Sequence, residues 1–240
     1  MKREYWIILI VYIVMQFSSL AGVPLFMFGF KHFGGKLELA VPVWLLTSFT
    51  VALIIILFIL RNEMKGQSFE RKGSSFSYSA MWAVAGFFLA LFAQYVAAII
   101  EHLIGINPGS ENTKEIVNII ETFPLAIFVT SIVGPILEEI VFRKIIFGAL
   151  HKRFNFFISA IISSVIFAAA HMEFQHILLY SAMGFTFAFL YVKTKRIIVP
   201  IFAHVTMNTL VVLVQSVYRE DIERLMREAE AVQNFIGGFL

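Results

Sequence analysis

Cysteine is absent from the 240 residues. That excludes disulfides, thiol nucleophiles and Cys-ligated metals. Aspartate occurs once, at Asp221 near the C-terminus. A membrane protease of the two-aspartate kind therefore has no material here. No histidine is followed by glutamate, so the H-E-x-x-H zinc signature is missing, and so is a G-x-S-G serine site. Charge is scarce as well, at 15% of residues, and long stretches carry none.

What is present is apolar. Hydrophobic residues make up 59% of the chain and the mean hydropathy is +0.83. A soluble domain is nearer half apolar, so the composition is that of a membrane protein. A membrane helix needs about 20 apolar residues. Seven runs approach that: 5–30, 37–60, 78–100, 124–150, 156–171, 177–192 and 197–217. The first is too long for a signal-peptide core and has no small-residue cleavage site, so it is read as retained. The expected fold is all-α, a polytopic bundle of about seven transmembrane helices. Residues 1–122 are expected to form N-terminal spans, 123–217 a transmembrane core, and 218–240 a charged amphipathic tail. Residues 116–123 carry Glu121 and read as an interfacial helix or the first turns of the fourth span. Pro124, Pro135 and Pro200 are expected to bend or interrupt their helices.

The net charge of +3 comes from short loops between apolar runs, which is a topology signal and not a nucleic-acid footprint. With the N-terminus inside, eleven of the nineteen basic residues fall on inner segments and six on outer ones. The other two, Arg143 and Lys144, lie within a span. This bias predicts a multi-pass protein of the cell membrane with a cytoplasmic N-terminus. An odd number of spans leaves the C-terminal tail outside.

Three polar clusters interrupt the apolar runs. Glu138-Glu139-Ile140-Val141-Phe142-Arg143 lies between two uncharged stretches. A carboxylate at the depth of a span costs a few kcal/mol and by default marks function. Glu139 and Arg143 are four apart and can pair on one helix face. Glu138 lies about 100° round and is free to point into a cavity. A purely structural ion network is the bland reading, but it does not require the second carboxylate. Phe167-Ala168-Ala169-Ala170-His171 offers small residues for close helix approach, then a histidine. Alone, such a histidine is more often interfacial than a ligand. His204 and Asn208 share a helix face in apolar surroundings and must find partners inside the bundle. A structural clamp between helices would explain that pair equally well.

Taken in order, the clusters spell E-E-x-x-x-R, F-x-x-x-H and H-x-x-x-N, with 33 residues from Glu138 to His171 and 33 from His171 to His204. This set resembles the CAAX-protease and bacteriocin-processing (CPBP, or Abi) family, which includes the type II CAAX prenyl endopeptidases. The resemblance covers roughly residues 123–214 and matches all three motifs. It implies intramembrane endopeptidase activity. Glu138 and His171 would activate a water, His204 and Asn208 would form the oxyanion site, and Glu139 and Arg143 would support them. It implies a peptide or lipidated-peptide substrate taken from a lipid surroundings, with no nucleic acid involved. No cofactor is favoured; if a zinc ion is used, Glu138, His171 and His204 are its candidate ligands. A non-catalytic immunity or peptide-binding protein using the same cavity is the rival reading. A transporter should show paired halves with broken helices, and no such symmetry is visible.

Overall fold

The computed structural model describes residues 1–65 and 73–219, together with 221, 224, 225, 227 and 228. Every regular element among them is helical. Helices α1 (Arg3–Phe17) and α2 (Ser19–Phe33) occupy the first apolar run, bent by 48° where they meet. The charge-free run reads as one helix, but Ser18 breaks it. Its hydroxyl donates to the Met15 carbonyl at 2.7 Å, and serine pairs such as Ser18-Ser19 are a common cause of kinks. Gly34, at φ +72°, closes α2 in the left-handed conformation glycine tolerates.

Helices α3 (Ala40–Lys65) and α4 (Phe76–Leu103) follow. The polar loop expected between them includes Arg71 and Lys72, which lie outside the described residues. Helix α5 (Glu111–Thr122) is separate and amphipathic, which settles the reading of that stretch as a helix of its own. Pro124 stands in the turn after it. Helix α6 is continuous over residues 126–150, but its winding alternates. Five residues, Val129–Val133, and nine, Glu139–Phe147, are π-helical. The first π turn stands directly before Pro135, whose ring and missing N–H disturb the ordinary ladder. The 100° step used for Glu138 and Glu139 therefore does not describe the stretch from Glu139 onward.

Helices α7 (Phe156–Ala170), α8 (Ile177–Thr194) and α9 (Ile198–Val217) complete the bundle. Pro200 does not interrupt α9. It lies in the first turn, where its missing N–H has no intrahelical partner to lose. The tail expected over 218–240 is mostly outside the described residues; within it Arg224 pairs with Asp221 at 3.2 Å.

Among the described residues, four helices are long and apolar enough to cross a membrane, Leu37–Glu63, Phe76–Leu103, Phe174–Thr194 and Ile198–Val217, or five if the bent α1–α2 pair counts as one. Large apolar side chains such as Phe28, Ile54, Phe88, Phe92 and Phe157 point outward, as lipid-facing residues must. The interior is organised around α6. Its Leu137, Phe142 and Ile145 share one buried cluster with Ile8 and Tyr12 of α1, Ile56 of α3, Ala90 of α4, Phe167 of α7, Phe187 of α8 and Met207 of α9.

The ends of the bundle are tied by polar contacts. At one end Glu63 accepts from Tyr5 at 2.9 Å and pairs with Lys2 and Lys144 at 3.3 and 3.2 Å. Close by in sequence, Ser74 donates its N–H to the Thr194 carbonyl and accepts from Arg196 Nε. At the other end Ser110 meets Glu173, and Arg219 meets Glu121.

Candidate active site

The site is built where α6, α7 and α9 meet. Glu139 and Arg143 are both fully buried, with Nε of the arginine 3.2 Å from Oε2 of the glutamate. The four-residue spacing does bring them together. The N–H is not aimed at the oxygen, so the contact is electrostatic and lacks hydrogen-bond geometry. The guanidinium lies against two aromatic faces instead, 4.4 Å from the centre of Phe167 and 5.4 Å from that of Phe187. A planar cation gains from such desolvated faces.

Glu139 has a second task that its spacing does not announce. Its Oε1 lies 3.0 Å from Nδ1 of His204, which is buried and stacked on Phe187. A carboxylate accepts, so Nδ1 carries the hydrogen and the ring orientation is fixed. Nε2 of His204 then faces Glu138, whose Oε2 is 3.7 Å away. Glu138 makes no hydrogen bond to a described residue, and its side chain keeps 19% exposure where Glu139 keeps none. The two adjacent carboxylates thus sit in different surroundings.

His171 caps the C-terminus of α7. At 15 residues that helix is about 22 Å long, shorter than the roughly 30 Å hydrocarbon thickness. The ring packs on Tyr180 with centroids 4.1 Å apart. Its Nδ1 lies 2.9 Å from the Phe167 carbonyl. A carbonyl can only accept, so Nδ1 holds the hydrogen and Nε2 keeps its lone pair. The next residue, Met172, takes a left-handed conformation at φ 59°, unusual for a side chain of its size.

A cavity of about 240 Å³ joins these groups. His171, His204 and Asn208 all line it, as do Thr130 of α6, Met183 of α8 and Gln94 of α4. Glu138 is not among the lining residues; it lies 3.7 Å from one of them, His204. No ion pair or hydrogen bond joins Glu138 directly to His171. Among the described residues, no three His, Asp or Glu side chains gather as a metal ion requires. Of Glu138, His171 and His204, the first and last approach each other, and Nδ1 of His204 is committed to Glu139. The arrangement does not fit a zinc centre.

A second polar network went unseen in the sequence. Glu101 of α4 accepts from the Leu179 N–H at 2.9 Å and lies 2.8 Å from Nδ1 of buried His176. Nearby, Glu173 accepts from the Ser110 hydroxyl (2.7 Å), the Tyr180 hydroxyl (2.7 Å) and the Asn112 N–H (2.9 Å). Its partners lie 7 to 63 residues away, so no local spacing reveals the set. Glu173 anchors the N-terminus of α5 over the cavity and holds the ring beneath His171. Burial works against its ionisation, but the Asn112 N–H and the two hydroxyls outweigh that and hold its pKa below the ordinary carboxylate range. The lowered pKa means the anchor is complete above the ordinary range and weakens as pH falls through and below it. Hydrogen exchange at the start of α5 is expected to rise on acidification, and Glu173→Gln to show the fast exchange already at neutral pH. Protection in Glu173→Gln equal to that of the unaltered chain would contradict the anchor.

Comparison with known proteins covers the same residues. A family model described as type II CAAX prenyl endopeptidase Rce1-like matches residues 120–210, the window that holds all six polar residues of the three motifs. The chain is 49% identical over 245 residues to the "Putative membrane peptidase YdiL" of Bacillus subtilis (strain 168), covering 99% of each. It is 35% identical to the "Membrane-embedded CAAX protease MroQ" of Staphylococcus aureus (strain USA300), over 95% of this chain and 93% of that one. Identity to "UPF0177 protein YxdF" of Lactococcus lactis is 26%, over 66% of this chain and 89% of the relative. No solved structure matches the chain.

Proposed function

Because this chain belongs to the Rce1-like type II CAAX prenyl endopeptidase family and is a membrane protease of the CAAX type, we propose that it hydrolyses a peptide bond inside the membrane with a water held between Glu138 and His171. One observation carries the reading. His171 and His204–Asn208, from two different helices, face one cavity, with the carboxylate of Glu138 3.7 Å from Nε2 of His204.

The chemistry follows from the atoms available. Nε2 of His171 has a lone pair and accepts from the water; Glu138 takes its proton as the oxygen attacks the scissile carbonyl. The charge that develops on the carbonyl oxygen is met by the Asn208 amide and by Nε2–H of His204 when that ring is protonated. A protonated ring also balances the charge of the two carboxylates near it, with Nδ1–H donated to Glu139 and Nε2–H left for the oxyanion. Collapse of the tetrahedral centre breaks the C–N bond, and the proton held by Glu138 passes to the leaving nitrogen. Glu139 orients His204, and Arg143 balances the charge of Glu139.

The substrate is a peptide; a lipid attached to it would lie among the bundle's apolar outer faces. Seven crossings with a cytoplasmic N-terminus give the topology. They are supported by the two tied ends, since the segments near Lys2, Glu63, Lys144, Ser74 and Thr194 meet at one of them, and Ser110 with Glu173 at the other. In this cysteine-free chain a single Lys195→Cys change gives a clean label. Membrane-impermeant maleimide should react with it only after the cells are opened. Labelling of intact cells would reverse the assignment.

Peptide termini in membranes of cells that carry the protein, or its Glu138→Gln form, test the reading. New termini should arise with the unaltered protein alone. Identical sets of termini would reject hydrolysis.

A further inference from the structure

Seven residues beyond Asn208 on the same helix stands Gln215, and both line the cavity. Gln94 of α4 lines it too. None of the three carboxamides hydrogen-bonds to a described residue, although all are half-buried. A carboxamide offers two donors and one acceptor oxygen, and leaving them unmet in a bundle is costly. Beside the cavity, carboxylates do find partners: Glu101 with His176, Glu173 with Tyr180, Glu139 with His204. Among the described residues, every half-buried carboxamide lines this one cavity.

Their spacing has a meaning for a peptide. Seven helical residues complete almost two turns, so Asn208 and Gln215 share a face of α9, about 10 Å apart along its axis. Three residues of extended chain also span about 10 Å. With a scissile carbonyl at Asn208, the backbone three residues away reaches Gln215. The same cavity is lined by Leu179, Met183, Met207, Val211 and Val212, and by no Lys, Arg, Asp or Glu among the described residues. A charged substrate side chain there meets no charged lining residue and carries a desolvation cost.

We infer that Gln215, with Gln94 on the facing helix, forms a subsite that hydrogen-bonds the backbone of an extended, uncharged substrate segment three residues from the scissile bond. The inference rests on the protease reading above. It makes recognition depend on the main chain, so side-chain sequence matters less there than the absence of charge.

The test uses the full chain in lipid nanodiscs and internally quenched ten-residue peptides of Ala, Gly, Val, Leu and Phe. The best-cleaved peptide has its scissile bond mapped by mass spectrometry. It is then resynthesised with one peptide bond at a time replaced by an (E)-alkene, which removes both donor and acceptor. One position, three residues from the cut, should lose on the order of fivefold in kcat/KM, the scale of a neutral hydrogen bond. Gln215→Met, matched in size, should lose a similar factor on the unmodified peptide and nothing further on that alkene. Gln94→Met should show the same coupling, and a Lys or Glu placed at that residue should abolish cleavage. Equal losses on both peptides, or no loss in either variant, would overturn the subsite while the protease reading stands. An unaltered protein that cleaves none of these peptides, under conditions where added soluble protease cleaves them all, would instead refute the protease reading.

Discussion

Glu138→Gln is expected to lower kcat for peptide cleavage by roughly 10²- to 10⁴-fold, the range a positioned general base contributes, while peptide binding and thermal stability stay near those of the unaltered protein. The substitution keeps the shape of the side chain and can still hydrogen-bond water, but it cannot take a proton. Glu138 bears no hydrogen bond to a described residue and keeps partial exposure, so little of the packing depends on its charge. Its neighbour separates the roles: Glu139 holds His204 and faces Arg143 in full burial. Glu139→Gln should therefore cost stability as well as rate, whereas Glu138→Gln costs rate alone. Comparable activity in Glu138→Gln would remove the carboxylate from the mechanism.

Arg143→Ala is expected to be the most destabilising change, with a loss of about 3–5 kcal/mol, the cost of leaving one member of a buried pair uncompensated. Two effects combine. The carboxylate of Glu139 loses its opposing charge, and the faces of Phe167 and Phe187 lose the guanidinium packed against them. Arg143→Lys keeps the charge without the flat surface and should fall between. The double change Glu139→Gln with Arg143→Met removes both charges at similar volume and should recover much of the loss. Melting in detergent measures all three. An unchanged melting temperature in Arg143→Ala would show that the pair does not hold the bundle together.

Local spacing made much of this arrangement readable before any coordinates. Glu139 with Arg143, and His204 with Asn208, are four apart, and a helix of nearly any winding puts such residues close. The apolar runs were equally plain, since every lipid-facing stretch must satisfy its own backbone. What the sequence hid lies between elements. That Glu139 would orient His204, 65 residues later, depends on how α6 and α9 pack, which no spacing encodes. Glu173 and Ser110 are ordinary loop residues until α5 docks. Local geometry also misled. Ser18 ends a helix inside a charge-free run, and Pro200 falls early enough in α9 to be harmless. The π-helical winding from Glu139 to Phe147 gives no composition signal, yet it places every residue of that stretch. Such winding is rare and is found most often at functional sites.

The most direct test of the central claim is the mass of what comes out. Purified protein in lipid nanodiscs is incubated with an uncharged apolar peptide, and all peptide species are weighed, alongside the Glu138→Gln form. The account predicts two fragments whose masses sum to that of the intact peptide plus one water, produced by the unaltered protein and lost with Glu138→Gln. Peptide that binds in the cavity and is recovered only intact would contradict it, and would make this a protein that holds peptides without cutting them.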